Sequence, residues 1–356
     1  MSNNKIAVAM SGGVDSSVAA AILKNKGYDL VGLTVKFYSE GENFRLPSSE
    51  DIHSAEKICT MLQIPHIVLD LEQAFRRKVI DYFVSDYLNA RTPNPCVICN
   101  QYIKFGILLD EAEKMDCSYL ATGHYAIISR DKNNKKVKLC RAKEHGKDQS
   151  YFLARISQKR LQKVLFPVGT YPKSKIRKLA KRLDLPVSSK RESQEVCFIK
   201  NEKIPDFIER YKNKKLDKGA IRNRTGEYIG THDGIAGYTI GQRKGLGVAV
   251  GKPVFVNKID ERTNEIFVGE GQDLYKKKFT GTDFLCFLDK IPDDLFEVNT
   301  RIRYAHRPAA SEIILKDNIV EVTFRKPQRA ITPGQLAVFY KKDTVVGSAW
   351  IKDILE

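Results

Sequence analysis

The sequence predicts an α/β fold. It should hold a parallel sheet covered by helices, then a small β-rich domain, then a C-terminal β-barrel. Three observations carry that prediction. The first half alternates short apolar runs with stretches of helical spacing, as strands joined by crossover helices do. Helices become scarce after about residue 201. Beyond about residue 276, short β-type runs recur between turn residues, the pattern of a small all-β barrel. The 356 residues exceed one ordinary domain of ~100–200, and the expected divisions are 1–200, 201–275 and 276–356.

Each element has its own reason. Lys5–Met10 is an apolar run and predicts a buried strand. Val14–Lys26 carries Val14, Val18, Ala21 and Ile22 at helical spacing. Tyr28–Tyr38 returns to β-rich residues. Ser49–Leu62 predicts a helix whose acidic first turn suits the helix dipole. His66–Leu71 predicts a strand, followed by a helical stretch to about Asn89. Ile103–Met115 predicts a helix, and Tyr119–Ala121 a strand. Ile127–Arg141 reads as a hairpin around the polar Asp131–Lys136. Lys173–Arg182 places six basic residues in ten positions, with Ile176, Leu179, Ala180 and Leu183 on one helical face. Gly219–Gly251 is glycine-rich, and its Gln242-Arg243-Lys244 suits phosphate contact. Arg301–Tyr304, Glu312–Leu315, Ile319–Arg325 and Gln335–Tyr340 are expected barrel strands, and Trp350 is expected in the core.

Composition narrows the partners. Lys and Arg number 60 against 43 Asp and Glu, a formal net charge of +17. That excess argues for a polyanion, and it tips the Lys173–Arg182 face from plain solvation toward RNA backbone. At 42% hydrophobic and 9% aromatic, the chain builds ordinary cores, which excludes wholesale disorder. No apolar run reaches the ~18 residues of a membrane-spanning helix, so no membrane partner is expected. The N-terminal stretch lacks the features of a secretory signal. Seven cysteines scattered over a long chain do not form a secreted disulfide framework. The expected location is cytoplasmic.

The first motif is Ala9-Met10-Ser11-Gly12-Gly13-Val14-Asp15-Ser16-Ser17, between a strand and a helix. Its glycines let backbone N–H groups approach an anion, and the helix N-terminus favours phosphate. Asp15 would repel a bare phosphate and suggests a bound cation or a backbone-orienting role. No G-x-x-x-x-G-K-[ST] and no G-x-G-x-x-G occurs here, so neither a Walker loop nor a dinucleotide fold is indicated. An ordinary glycine turn with a serine cap is the bland alternative. The full string resembles the pyrophosphate loop of N-type ATP pyrophosphatases, which cleave ATP between its α and β phosphates to adenylate an oxygen.

The second feature is cysteine. Cys96 and Cys99 lie in Thr92-Pro93-Asn94-Pro95-Cys96-Val97-Ile98-Cys99, where two prolines predict a rigid loop. Cys197 follows Glu192-Ser193-Gln194-Glu195-Val196. Lys190, Arg191 and Lys200 are cations in reach along the chain to lower a thiol pKa. Three readings compete: packing residues, as expected for Cys59, Cys117, Cys140 and Cys286; ligands of an iron–sulfur cluster with one iron open; and persulfide chemistry resolved by thiol–disulfide exchange.

Further strings extend the resemblance over almost the whole chain. They are Thr92–Phe105 (TPNPCVICNQYIKF), Ala121–Tyr125 (ATGHY), Lys147–Leu153 (KDQSYFL), Ser193–Ile199 (SQEVCFI), Gly237–Gly247 (GYTIGQRKGLG), Arg303–Tyr304 and Thr332–Tyr340 (TPGQLAVFY). Together they resemble the bacterial tRNA-specific 2-thiouridylases of the MnmA/TrmU type. The resemblance implies a Rossmann-like ATP pyrophosphatase domain, a central tRNA-binding domain and a C-terminal β-barrel. It implies sulfur transfer to C2 of the wobble uridine of tRNAs for Lys, Glu and Gln, with ATP and Mg²⁺.

By the same resemblance, Ala9, Met10, Ser11, Gly12, Gly13, Val14, Asp15, Ser16, Val35 and Gly123 bind ATP. Cys99 is the nucleophile, Cys197 the persulfide carrier, and the two form a transient disulfide. Asn94, Pro95 and Cys96 meet the target base. His124, Lys147, Asp148, Gln149, Arg303, Tyr304 and Gln335 touch tRNA. A persulfide donor protein, a sulfur relay or a cysteine desulfurase, is the implied partner. Cys96 departs from relatives that carry Asp there as an acid/base group. It stands as an acid/base thiol or as a cluster ligand with Cys99 and Cys197. The Glu192–Ile199 segment is the expected mobile loop. The alternatives are the same reaction on an iron–sulfur cluster, another adenylating synthetase of the superfamily, and a non-catalytic RNA-binding protein.

Overall fold

The computed structural model describes residues 5–37, 49–130, 136–187, 196–199, 202–288, 295–316 and 319–355. The chain divides into two units. One holds residues 1–79, 96–200 and 343–345; the other holds 80–95, 201–342 and 346–356.

In the first unit, strands β1 (Lys5–Ala9), β2 (Asp29–Lys36), β3 (His66–Asp70), β4 (Tyr119–Ala121) and β7 (Val164–Leu165) form a sheet of order β3-β2-β1-β4-β7. Every pairing in it is parallel. Helices α1 (Val14–Asn25) and α2 (Ser49–Met61) make the first two crossovers. Ile6 and Val8 of β1, Val18 and Leu23 of α1, Ile58 of α2, and Ile176 and Ala180 of the Lys173–Arg182 helix share one core. That helix turns Lys175, Lys178, Lys181 and Arg182 outward, as its amphipathic spacing predicts. The expected hairpin is β5 (Ala126–Arg130) with β6 (Val137–Arg141), in register at Ile127 and Cys140.

The second unit carries two β systems. Strands β8 (Gly219–Arg222), β9 (Tyr228–His232), β10 (Phe255–Asp260) and β11 (Glu265–Gly269) form a sheet of order β10-β11-β8-β9. Its core is Ile221, Val256, Ile266 and Val268. Strands β12 (Tyr275–Cys286), β13 (Phe296–Arg301), β14 (Ala309–Lys316), β15 (Ile319–Arg329), β16 (Leu336–Lys341) and β17 (Thr344–Leu355) run in the order β12-β15-β14-β13-β16-β17. Pairing of β12 with β17 closes them into a barrel around Phe279, Phe324, Phe339 and Ile351. The α/β, β-rich and barrel architecture is therefore as predicted.

Local differences have physical causes. Cys96 and Cys99 do not sit in a rigid loop. Pro95 starts a helical turn, Pro95–Ile98, where its missing N–H costs nothing. Cys99 then opens a π-helix, Cys99–Ile107, which continues as an α-helix over Leu108–Lys114. The expected strand at Arg301–Tyr304 stops at Arg301, whose guanidinium turns back onto the Tyr304 carbonyl. Trp350 is half-buried on β17 rather than in the core, its ring 6.2 Å from that of Tyr82.

Candidate active site

The glycine loop is built as an anion cradle. Gly13, at the N-cap of α1, gives the helix no side-chain cap, so the first-turn N–H groups keep their capacity for an external acceptor. Gly12 has φ of +65°, and a Cβ there would stand 2.3 Å from the Asp51 carbonyl oxygen, so only glycine fits. Ser16 Oγ lies 3.1 Å from Ser11 Oγ and donates to the Gly13 carbonyl at 3.1 Å. Ser17 Oγ donates to the same carbonyl at 2.8 Å. Met10 and Val14 are buried beneath the loop, Ser11 is exposed, and Ala9 is half-buried. Val35 is buried on the neighbouring strand β2.

Gly123 closes the other side. A Cβ there would lie 2.6 Å from the Ser16 nitrogen and 2.7 Å from the Asp15 carbonyl carbon. Asp15 is not free to repel an anion. Lys173 Nζ donates to its two carboxylate oxygens at 2.7 and 2.6 Å, and the Tyr125 hydroxyl donates at 2.7 Å. Sequence spacing gives no hint of that lysine, because its interest lies 158 residues from its partner.

His124, next to Gly123, links this cradle to the cysteines. Its Nδ1 lies 2.7 Å from Thr122 Oγ1, and its ring packs near Phe105 and Phe166 at 5.8 and 6.0 Å. Burial, and then the Lys104 charge, push its pKa well below the usual imidazole range, so it is neutral at pH 7. The same lysine acts on all three thiols named in the sequence. Burial raises Cys99 to about 11, while Lys104 opposes the rise. Burial raises Cys96 and, further, Cys197, and Lys104 again pulls each down. Cys197 also feels Cys99 and Cys96, which places the three thiols in one neighbourhood. Cys96 keeps exposed surface, whereas Cys99 is buried.

Lys104 is the residue that chain-local reading missed. It is five positions after Cys99, which is off-face in an α-helix. In a helix closed by i→i+5 hydrogen bonds it falls about one turn on. The Leu108 N–H bonded to the Ile103 carbonyl is one such bond. Lys190, Arg191, Lys200 and the first half of Glu192–Ile199 lie outside the described residues, while Val196–Ile199 forms a turn. Among the described residues no group of three or more His, Cys, Asp or Glu side chains is placed to hold a metal ion.

The remaining candidates fall in two places. In the first unit, Asp148 is buried, and its carboxylate accepts from the Ala142 and Ser150 N–H groups at 3.0 and 3.1 Å. Gln149 Oε1 accepts from the Tyr125 N–H at 2.8 Å, and Lys147 is half-buried beside them. In the second unit, Arg303 donates to the Arg329 and Ala330 carbonyls at 2.8 and 3.2 Å, while Tyr304 is exposed. Gln335 Nε2 donates to the Thr92 and Pro93 carbonyls at 3.1 Å each. The Thr92 N–H in turn donates to the Pro333 carbonyl at 2.9 Å. The backbone leading to Asn94, Pro95 and Cys96 is thus held by the turn before β16. Asn94 is buried, and its N–H donates to the Tyr82 hydroxyl at 3.1 Å.

Comparison with known proteins agrees with this division of labour. Residues 4–201 match the family described as the tRNA methyl transferase HUP domain. Residues 205–270 match its PRC-barrel domain, and 276–351 an aminomethyltransferase β-barrel domain. The chain is 41% identical to tRNA-specific 2-thiouridylase MnmA 1 of Caldanaerobacter subterraneus subsp. tengcongensis, over 98% of each chain. It is 41% identical to MnmA of Clostridium perfringens over the full length of both, and 42% identical to that of Clostridium beijerinckii over 99% of both. The chain belongs to the tRNA-specific 2-thiouridylase family.

Proposed function

We propose that the protein uses ATP to replace the C2 oxygen of a tRNA uridine with sulfur. The observation that carries this reading is the Gly123–His124 pair. Gly123 packs on the phosphate cradle, and His124 shares the Lys104 cation with Cys96, Cys99 and Cys197. An adenylating loop and a thiol cluster therefore adjoin within one unit.

The chemistry needs both parts. The uridine C2 oxygen is a poor leaving group. Its attack on the α-phosphorus, with loss of pyrophosphate, converts it into the oxygen of a phosphate ester. The loop N–H groups offset the charge on the departing pyrophosphate. The outer sulfur of a Cys197 persulfide attacks C2, and AMP leaves. Cys99 attacks the remaining S–S bond, releasing sulfur to the base and forming a Cys99–Cys197 disulfide, which a thiol reductant clears. Bonding the two sulfurs requires the Cys99 and Cys197 Cα atoms to stand within about 7 Å of each other. Asp15 would hold Mg²⁺ together with the substrate phosphates only by giving up a Lys173 contact, and the ion would neutralise phosphate charge. The sulfur is supplied by a persulfide-bearing protein. Cys96 takes the acid/base place at the target base.

The test mixes protein, ATP, Mg²⁺, a persulfide donor and unmodified tRNA. The expected product is 2-thiouridine with one AMP per sulfur, and Cys197→Ser abolishes it. Folded protein that makes no 2-thiouridine, or a fully active Cys197→Ser, refutes the reading.

A further inference from the structure

Two prolines strip hydrogen-bond donors from the segment that leads to Cys96. In Pro93-Asn94-Pro95 the Asn94 N–H is the sole backbone donor, since proline has none. Asn94 is only 7% exposed, so that N–H needs an acceptor inside the protein. It donates to the Tyr82 hydroxyl at 3.1 Å. Tyr82 belongs to the Asp81–Leu88 helix, within the same unit as Asn94.

The acceptor is itself held. With the Asn94 N–H arriving at its oxygen, the Tyr82 hydroxyl gives its own proton to the Asp86 carboxylate, one helical turn on. Donation to a carboxylate enriches the phenol oxygen and makes it a better acceptor. The Tyr82 ring lies 6.2 Å from the Trp350 ring, and phenylalanine would pack there as well. What the hydroxyl adds is the bond to Asn94. Gln335 grips the Thr92 and Pro93 carbonyls at 3.1 Å each, which fixes the chain as far as Pro93. The Asn94 N–H carries that hold one residue further.

We propose that Tyr82 is a positioning residue for sulfur transfer: its hydroxyl, oriented by Asp86, sets where Asn94 and Pro95 present the target uridine. Without the hydroxyl a buried N–H is left unpaired, and the segment shifts to find another acceptor. The uridine is then offered to the reacting groups in the wrong place. Turnover suffers more than binding, because orientation rather than contact is lost. The inference rests on the proposed 2-thiolation, with Asn94 and Pro95 at the uridine, and adds no reacting group to it.

Hydrogen exchange read by mass spectrometry on the full-length protein, beside thiolation kinetics with unmodified tRNA, tests it. The prolines make Asn94 the one exchanging amide of residues 93–95. In Tyr82→Phe its exchange should quicken at least about tenfold and kcat for 2-thiouridine should fall at least about fivefold, while the KM for ATP changes less than about twofold. Asp86→Asn, which keeps an acceptor for the phenol proton but not its charge, should show smaller losses of the same kind. Unchanged exchange at Asn94 in Tyr82→Phe overturns the proposal. So does quickened exchange with unchanged kcat. Exchange quickened throughout the Asp81–Leu88 helix also overturns it, being the mark of a tyrosine that only holds the helix. Wild-type protein that makes no 2-thiouridine overturns the proposed function and this role with it. An active wild type with an equally active Tyr82→Phe overturns this inference alone.

Discussion

Residues in this protein carry chemistry that their neighbours impose. His124 is the clearest case, because burial and Lys104 both favour its neutral form. Its folded pKa lies below the unfolded value of 6.5, so its contribution to stability is complete above that pH. The contribution is lost as pH falls, because unfolding then binds a proton the native state refuses. One such group steepens the loss by at most about 1.4 kcal/mol per pH unit. Denaturant unfolding between pH 7 and 5 should be steeper in pH for wild type than for His124→Gln. Parallel slopes would show that the imidazole titrates normally. The strings that hold Cys99 and Cys197 were legible in the sequence, but the cation beside them was not. Lys104 gains meaning only from a helix type that side-chain patterning does not encode.

Elements follow the sequence where burial has a simple period. β1 and α1 were readable because an apolar run leads into a helical stripe, and both halves of that pattern face one core. The π-helix was not readable, since α and π segments use the same residue types and differ only in which carbonyl each N–H selects. The pairing of Lys173 with Asp15 was equally hidden, because it joins elements far apart in the chain. Close approach at Gly123 yields a sharp expectation. Gly123→Ala places a methyl group 2.6 Å from the Ser16 nitrogen and 2.9 Å from Asp15 Cβ. The loop must shift to admit it. ATP binding should fall at least tenfold while far-ultraviolet circular dichroism is retained, and unchanged ATP affinity would mean the loop yields without cost.

The whole molecule is charged for a polyanion, and the surplus of +17 has outlets in both units. Lys175, Lys178, Lys181 and Arg182 are exposed in one, Arg243 and Lys244 in the other. If these contact phosphate, binding releases counterions, and each contact contributes about 0.7–0.9 to the salt slope. The dissociation constant for unmodified tRNA should therefore rise at least about tenfold between 50 and 200 mM salt. A flat salt response in a filter-binding titration would count against electrostatic capture. The charge surplus was visible from composition, whereas its division between faces needed the fold.

The turn before β16 also bears on how such proteins diversify. Gln335 holds Thr92 and Pro93, and Gly334, at φ of +88°, sits so close that a Cβ would stand 2.8 Å from the Thr92 carbonyl oxygen. Ile351 of β17 ties that turn in place through the Gly334 N–H at 3.0 Å and the Gln335 carbonyl at 2.9 Å. The barrel is therefore not an interchangeable cassette. Any recombination that replaced it would also replace the clasp on the strand of chain entering Cys96. Exchange would be viable only when donor and recipient agree at residues 91–93 and 332–335 together.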